Sequence, residues 1–520
     1  MSQKLATFSG GGWNSLSAIY GMTAGALDAL EQRGLTRDLD NLFANIDTIS
    51  ANSGGTWALT TLASSNSINT TFKTKSGTSS ITNSGYLGNV REAFETLPRF
   101  GEFNEERPLF SASVGFNFNW NKLVQDLVYT PAKDIPDSNF VPGSLMNWAQ
   151  NKQLVFATGL GAIKARSIFD RTLPPQPMVV ARSGRFRPLN NIEAAAYSSH
   201  LPNEAQIVPL SLELNGQTET NSAYRIPGGI NTRIDYNSVR GLRRSSIQID
   251  TEGDSSQLPL TSPSVFSSAA LAIDSNSDAA GNTNKLAPLV GFSNGRILDF
   301  ERTPRERTEE EGHRFAKREG LSRTMDGAYI DNSSIAYGLS ALESESGLKN
   351  NFEISAFINT SSGPSDWVSV ALDDGSRIRL PSNVTMLFGI GINGTSLAKD
   401  DAYPNPIIPD GFIQPSAVVF KRDSLTGIST EPNWVYESND DNWRIEQRTI
   451  NVTTNSNRTF DLPENINGTL NLFIFSNPSS NLIAFNNNIL DQYENNFNGY
   501  REALNSIEGS NLIANAFYFN

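Results

Sequence analysis

The opening of the chain alternates too regularly to leave much choice of fold class. Residues 5–9 (Leu-Ala-Thr-Phe-Ser) read as a short buried strand and run into Gly10-Gly11-Gly12. A helical pattern comes next, with Leu16, Ile19, Tyr20, Ala24, Leu27 and Leu30 mostly three and four apart. Gly34 is a natural stop for it. Residues 46–50 (Ile-Asp-Thr-Ile-Ser) read as a second strand, broken at Ala51-Asn52-Ser53-Gly54-Gly55 before another helix opens at Thr56. Strand, glycine loop, helix, strand, sharp turn, helix: this order predicts an α/β fold with a mostly parallel central sheet and covering helices.

Further along the signals thin out. Residues 65–85 are rich in Ser, Thr and Asn and read as a surface loop. Residues 86–175 read as helical and irregular, with Phe116, Phe118, Trp120, Leu123 and Leu127 forming either an apolar lid or the core of an insertion. Met178–Ala181 and Ile207–Leu214 read as strands, and 264–271 as a buried helix. The charged stretch Arg302 to Arg323 reads as solvated. Residues 352–359 read as a strand; from about 365 the chain looks loop-rich, with β segments at Val384–Gly389 and Leu470–Phe475. The expected organisation is a core over 1–365, an insertion over about 65–260, and a β/loop-rich lobe over 366–520.

Composition narrows the function classes. The 520 residues carry a net charge of −13 and a pI near 4.9, which argues against nucleic acid as a partner. The basic group Arg240, Arg243 and Arg244 reads as a solvated turn. There is no cysteine, so thiol catalysis and disulfides are excluded. Asp373-Asp374 and Asp440-Asp441 lack calcium-loop spacing, so no metal or other cofactor is expected. No apolar run reaches membrane-spanning length and the N-terminus lacks signal-peptide character, so the expectation is a soluble cytoplasmic protein.

Chemistry concentrates at three places. Ser53, between a strand and a helix with small neighbours, fits a nucleophile elbow, although Ala51 stands where the usual first glycine would be. Gly10-Gly11-Gly12 bares backbone N–H groups one strand–helix unit earlier, and parallel strands would bring both loops to one sheet edge. Nucleotide binding is the rival, but Ser15 occupies the third glycine of Gly-x-Gly-x-x-Gly and no P-loop lysine is present. A base is needed as well. The only histidines, His200 and His313, lie in polar contexts that read as loops. Asp326-Gly327 offers an aspartate on an open turn, whose pKa partial burial would raise; Asp331 is the alternative.

Ser9-Gly10-Gly11-Gly12, Asn52-Ser53-Gly54-Gly55-Thr56-Trp57 and Asp326-Gly327, in that order, resemble the patatin-like and cytosolic phospholipase A2 families. Ser267-Ser268-Ala269-Ala270 and Ile354–Ser365 are similar to further segments of them. The resemblance implies a three-layer patatin-like fold and a serine lipid acyl hydrolase without cofactor. Ser53 would attack the acyl carbonyl, Asp326 would take its proton, and Gly11, Gly12 and Gly54 would hold the oxyanion. The implied partner is a lipid or other acyl ester, met through transient contact with a lipid interface. Acyl transfer by the same serine and non-catalytic lipid binding are the alternatives. The cytosolic phospholipases place an arginine where this chain has Asn14, which points away from a phosphate contact and toward neutral glycerides or glycolipids. No calcium-binding membrane module precedes the catalytic start, so calcium-triggered docking is not expected.

Overall fold

The computed structural model describes residues 2–96 except 84, 124–135, 144–161, 261–268, 323–361, 367–391 except 373, 417–438, 443–457, 460–477 and 487–519, with short strands inside 178–247. In the first part of the chain β1 (Lys4–Phe8) leads to α1 (Gly12–Gln32), and β2 (Thr48–Asn52) leads to α2 (Gly54–Ser64). Then come α3 (Asn66–Phe72), α4 (Lys75–Asn83), α5 (Tyr86–Thr96), β3 (Gln153–Gly161) and β4 (Ile207–Asn215). A short helix α6 (Ser262–Ser267) precedes β5 (Arg323–Asp326), α7 (Ile335–Ser346) and β6 (Phe352–Ser361). The last third holds β7 (Trp434–Glu437), β8 (Arg444–Thr453), β9 (Asn467–Asn477), α8 (Asn487–Leu504) and α9 (Ile507–Ala516).

One large sheet runs in the order β7-β8-β9-β6-β1-β2-β3-β4. Its centre, β9-β6-β1-β2-β3, is parallel throughout, and the flanking pairs are antiparallel. β2 is buried at every position, because a central strand is covered on both faces and loses the polar alternation of a one-sided sheet. The two covers are visible in the register. Leu5 and Ser50 face Gly338 of α7. Neighbours in the strand point the opposite way, and there Ser355 donates to the Ala516 carbonyl of α9 while Phe357 stacks on Phe517. The protein is thus α/β, with a parallel sheet centre between helices. No helix among the described residues is long and apolar enough to cross a membrane.

The C-terminal helices correct the loop-rich expectation for the last third. Leu490, Tyr493, Phe497, Tyr500 and Leu504 recur three and four apart on α8 and are all buried. They lie on α1 so closely that a Cβ on Gly21 would stand 2.6 Å from the Phe497 carbonyl oxygen. Asp28 of α1 fastens the pair, accepting from Arg501 and Asn505 at 2.8 Å and pairing with Arg37. Burial alone would raise the Asp28 carboxyl, but the Arg501 and Asn505 hydrogen bonds and the Arg37 charge outweigh it and hold it below the ordinary range.

Three other expectations change. Residues 65–85 form α3 and α4 rather than a loop. Ser65 caps α3 by accepting from the Ile68 N–H, the hydroxyls of Thr71, Thr78 and Ser79 fold back on carbonyls four residues earlier, and Ile68, Phe72 and Ile81 reach the core. Val384–Gly389 is a helical turn continued by a 3-10 turn, a reading that a short apolar run leaves open. Within the helical expectation for 86–175, Gln153–Gly161 is β3, a strand of the central sheet. Its continuous burial hides the period of two. The expected insertion therefore supplies β3 and β4 to the main sheet, and the segment after 366 continues that sheet with β7, β8 and β9.

Candidate active site

Two strands meet end to end on one edge of β3. β2 runs parallel to β3 and finishes with Asn52 opposite Ala157. β5 runs antiparallel and finishes with Asp326 opposite Thr158, the next residue along. The turn after β2 and the last residue of β5 are therefore neighbours in space although 273 positions apart in the chain: the Ser53 hydroxyl donates to Asp326 Oδ2 at 2.7 Å.

Ser53 itself is held in an unfavourable conformation. Its φ of 48° and ψ of −126° lie where side-chain-bearing residues rarely go, at a cost of about 1–3 kcal/mol. What holds it there is crowding. A Cβ on Gly54 would collide with the Gly12 carbonyl oxygen and stand 2.5 Å from the Gly12 nitrogen, so α2 can begin here only with a glycine against the start of α1. Neither helix receives a side-chain cap at its first turn. Two helix N-termini thus converge beside Ser53 without side-chain caps and with their positive dipole ends toward it, an environment that favours negative charge. Gly12 and Gly54 are in direct contact, and Gly11, at φ 137°, packs on Asn359.

Asp326 is 3% exposed. Burial is the main influence on its carboxyl and pushes it from 3.8 up to about 7, against the lowering pull of hydrogen bonds from the Ala328 N–H and the Ser53 hydroxyl. Oδ1 accepts from Ala328 at 2.9 Å, leaving Oδ2 for the serine. Asp331, the alternative base, is occupied differently. Oδ1 accepts from the Ser333 N–H and hydroxyl and Oδ2 from the Ala336 N–H, so it anchors the start of α7.

Ser267 is a member of the site that sequence reasoning did not assign a role. Its hydroxyl accepts from the Ser53 N–H at 2.9 Å and donates to the Ala157 carbonyl, while its own carbonyl accepts from the Gly327 N–H at 3.2 Å. One residue of α6 therefore ties the serine turn, the aspartate turn and β3 together. Ser268 accepts from the Trp57 indole at 2.9 Å and fixes α6 to α2. Asn332 and Asn359 close the glycine loop: the Asn332 carbonyl accepts from the Gly10 N–H, and the Asn359 N–H donates to Ser9 Oγ. The one local hint of these roles was the Ser267-Ser268 pair at the end of an apolar helix.

Asn14 is buried and turned toward α8, where its Oδ1 accepts from Asn496 at 3.4 Å. Leu127 belongs to the core. His200, His313, Phe116, Phe118, Trp120, Leu123, Arg240, Arg243, Asp373, Asp440 and Asp441 lie outside the described residues. Among the described residues no cluster of three or more His, Asp or Glu is placed to hold a metal. Compared with models of known protein families, with curated proteins and with solved structures, the chain finds no match in any of the three.

Proposed function

We propose that this protein is a serine acyl hydrolase that cleaves lipid or related acyl esters through a Ser53–Asp326 dyad. The observation that carries the reading is the 2.7 Å hydrogen bond from the hydroxyl of a conformationally strained serine to a buried carboxyl. Ser53 Oγ attacks the acyl carbonyl carbon while its proton passes to Asp326 Oδ2. The carbonyl oxygen takes the negative charge, and the N–H groups of Gly11, Gly12 and Gly54 stabilise it. Donors of this kind contribute about 3–4 kcal/mol each in other hydrolases. Collapse of the intermediate expels the alcohol, which leaves with the proton from Asp326, and Ser53 remains acylated. A water then gives its proton to Asp326 and its oxygen to the acyl carbon; the acid departs and Ser53 recovers its proton.

A carboxyl near 7 suits this task better than one near 3.8, because a base works best when its pKa approaches the working pH. The resemblance to patatin-like and cytosolic phospholipase A2 sequences supplies the lipid class. The burial of Asn14 supports a substrate without a phosphate contact at that position, such as a neutral glyceride or glycolipid. The test is a panel of acylglycerols, glycolipids, phospholipids and aryl esters, with and without an alcohol acceptor, run on wild type, Ser53→Ala and Asp326→Asn. Turnover that depends on both residues, with covalent labelling of Ser53 by a fluorophosphonate, is the expected result. A folded wild type that neither labels nor cleaves any ester would overturn the assignment.

A further inference from the structure

A cavity of about 560 Å³ lies at the other end of the sheet, between the β7–β8 edge and a hairpin formed by Trp367–Ala371 and Arg377–Pro381. Its walls reflect strand periodicity. Arg444, Glu446 and Arg448 alternate along β8 and share one face, and Ser476 of β9 stands directly opposite Arg444. On the hairpin, Ile378 and Leu380 turn into the core, which leaves Arg377 and Arg379 on the open side. Four guanidiniums and three carboxylates line the cavity, with Glu431 and Glu437 joining Glu446. Four minus three leaves one positive charge in excess, in a chain whose net charge is −13.

The pairing inside the cavity is incomplete. Arg444 pairs with Glu437, and with Glu446 at 2.9 Å. Arg377 is used on Ser369. Arg379 has no carboxylate partner among the described residues; its guanidinium lies 5.8 Å from the centre of the Trp367 ring. Arg448, 6% exposed at its side chain, gives one amino group to the carbonyls of Ser429 and Thr430. Its Nε forms an ion pair with Glu446 Oε2 at 3.5 Å, longer than a good hydrogen bond, so this pairing leaves its donors only loosely engaged. The hydroxyl of Ser476, a residue 3% exposed, has no hydrogen-bond partner among the described residues. Buried donors are almost always satisfied, and an unsatisfied one in a lined cavity marks a place for a bound group. Guanidiniums, with several donors in a fixed fork, are matched by phosphate and carboxylate oxygens. The volume is that of a small-molecule site.

We propose that this cleft binds a small organic oxyanion, a phosphate or carboxylate head on a compact uncharged body. The head is gripped by Arg379, Arg448 and the Ser476 hydroxyl, and the body lies toward Trp367 and Trp443. The site is separate from the Ser53 dyad and does not depend on the reading of that dyad.

Trp367 and Trp443 report occupancy directly. Phenyl phosphate and benzoate, which share a body and differ in the head, are titrated against tryptophan fluorescence and by calorimetry. The probes are repeated on Arg379→Gln, whose exposed side chain can change without disturbing the core, and on Ser476→Ala. The expected result is saturable binding of at least one probe by wild type. Affinity should fall about tenfold or more in each variant, the loss expected for one charge-assisted or buried hydrogen bond. Turnover at the Ser53 site should be unchanged. Vesicles of phosphatidic acid in phosphatidylcholine form a third arm. Arginine-dependent vesicle binding with no response to either small probe would assign the head to a lipid and overturn the small-ligand proposal. Absence of saturation up to concentrations on the order of 10 mM, or equal binding by Arg379→Gln and wild type, would also overturn it.

Discussion

Replacing Asp326 with asparagine should remove activity and at the same time stabilise the protein, by an amount that depends on pH. Below the ordinary carboxyl value of 3.8 the group is protonated in both folded and unfolded chains, and nothing distinguishes wild type from variant. Between 3.8 and about 7 the unfolded chain has released its proton while the folded chain retains it, so wild-type stability falls as pH rises; above about 7 the loss is complete. At about 1.4 kcal/mol per pH unit the full penalty is about 4 kcal/mol, and asparagine escapes it. Its side-chain oxygen still accepts from Ala328, and its amide faces the Ser53 hydroxyl, so few hydrogen bonds are lost. Urea unfolding at about pH 5.5 and about pH 8.5 should show the advantage of the variant growing by about 2 kcal/mol between them, as linkage requires for these two values. Ester turnover should fall about 10²–10⁴-fold, the usual contribution of a positioned base. A stability difference that stays flat or shrinks with rising pH would refute the idea of a buried, reluctantly ionised carboxylate.

The same carboxyl should govern the rate: kcat/KM should rise about tenfold per pH unit below about 7 and level off above it, measured on a soluble aryl ester. Ser53→Gly should abolish fluorophosphonate labelling while stabilising the fold by about 1 kcal/mol, since glycine adopts a positive φ without strain; calorimetry checks the second half. Gly54→Ala should cost turnover and stability together, because the new methyl runs into the Gly12 backbone, 2.5 Å from its nitrogen and 2.6 Å from its Cα, and both losses are read from one purified variant. Ser267→Ala should leave the Ser53 N–H buried without an acceptor, costing about 1–3 kcal/mol in unfolding experiments, and should lower kcat more than it changes KM.

How much of the molecule was readable from residues alone depended on range. The glycine loop, the serine turn and the first two strands were legible because each is defined within a dozen residues by period, glycine placement and length. The choice of Asp326 over Asp331 rested on the glycine directly after it; what separates them physically is that Asp331 spends both oxygens on the start of α7. Ser267 stood out only as part of a Ser-Ser-Ala-Ala segment similar to one in patatin-like sequences, and its role was hidden because all three of its site contacts are tertiary. α8 carries a clear heptad-like spacing, but Asn487, Asn488, Asn495 and Asn496 mask it by giving the segment the composition of a loop. Its helix is maintained by the apolar face pressed on α1 rather than by propensity. Similarly, β3 and the residues after 384 are mostly apolar without a clear period, which burial on all sides produces in strand and helix alike.

The end-to-end meeting of β2 and β5 on β3 has a consequence for synthesis. The growing chain presents the Ser53 hydroxyl 273 residues before the carboxylate proposed to deprotonate it. Until that distant strand docks, Ser53 lacks its hydrogen bond to Asp326, and the proposed dyad does not exist. Because loop-closure entropy grows only logarithmically with length, lengthening the intervening chain would add little to the cost of bringing the two together. The docking edge of β3, not the span between the partners, thereby sets when the proposed dyad is assembled.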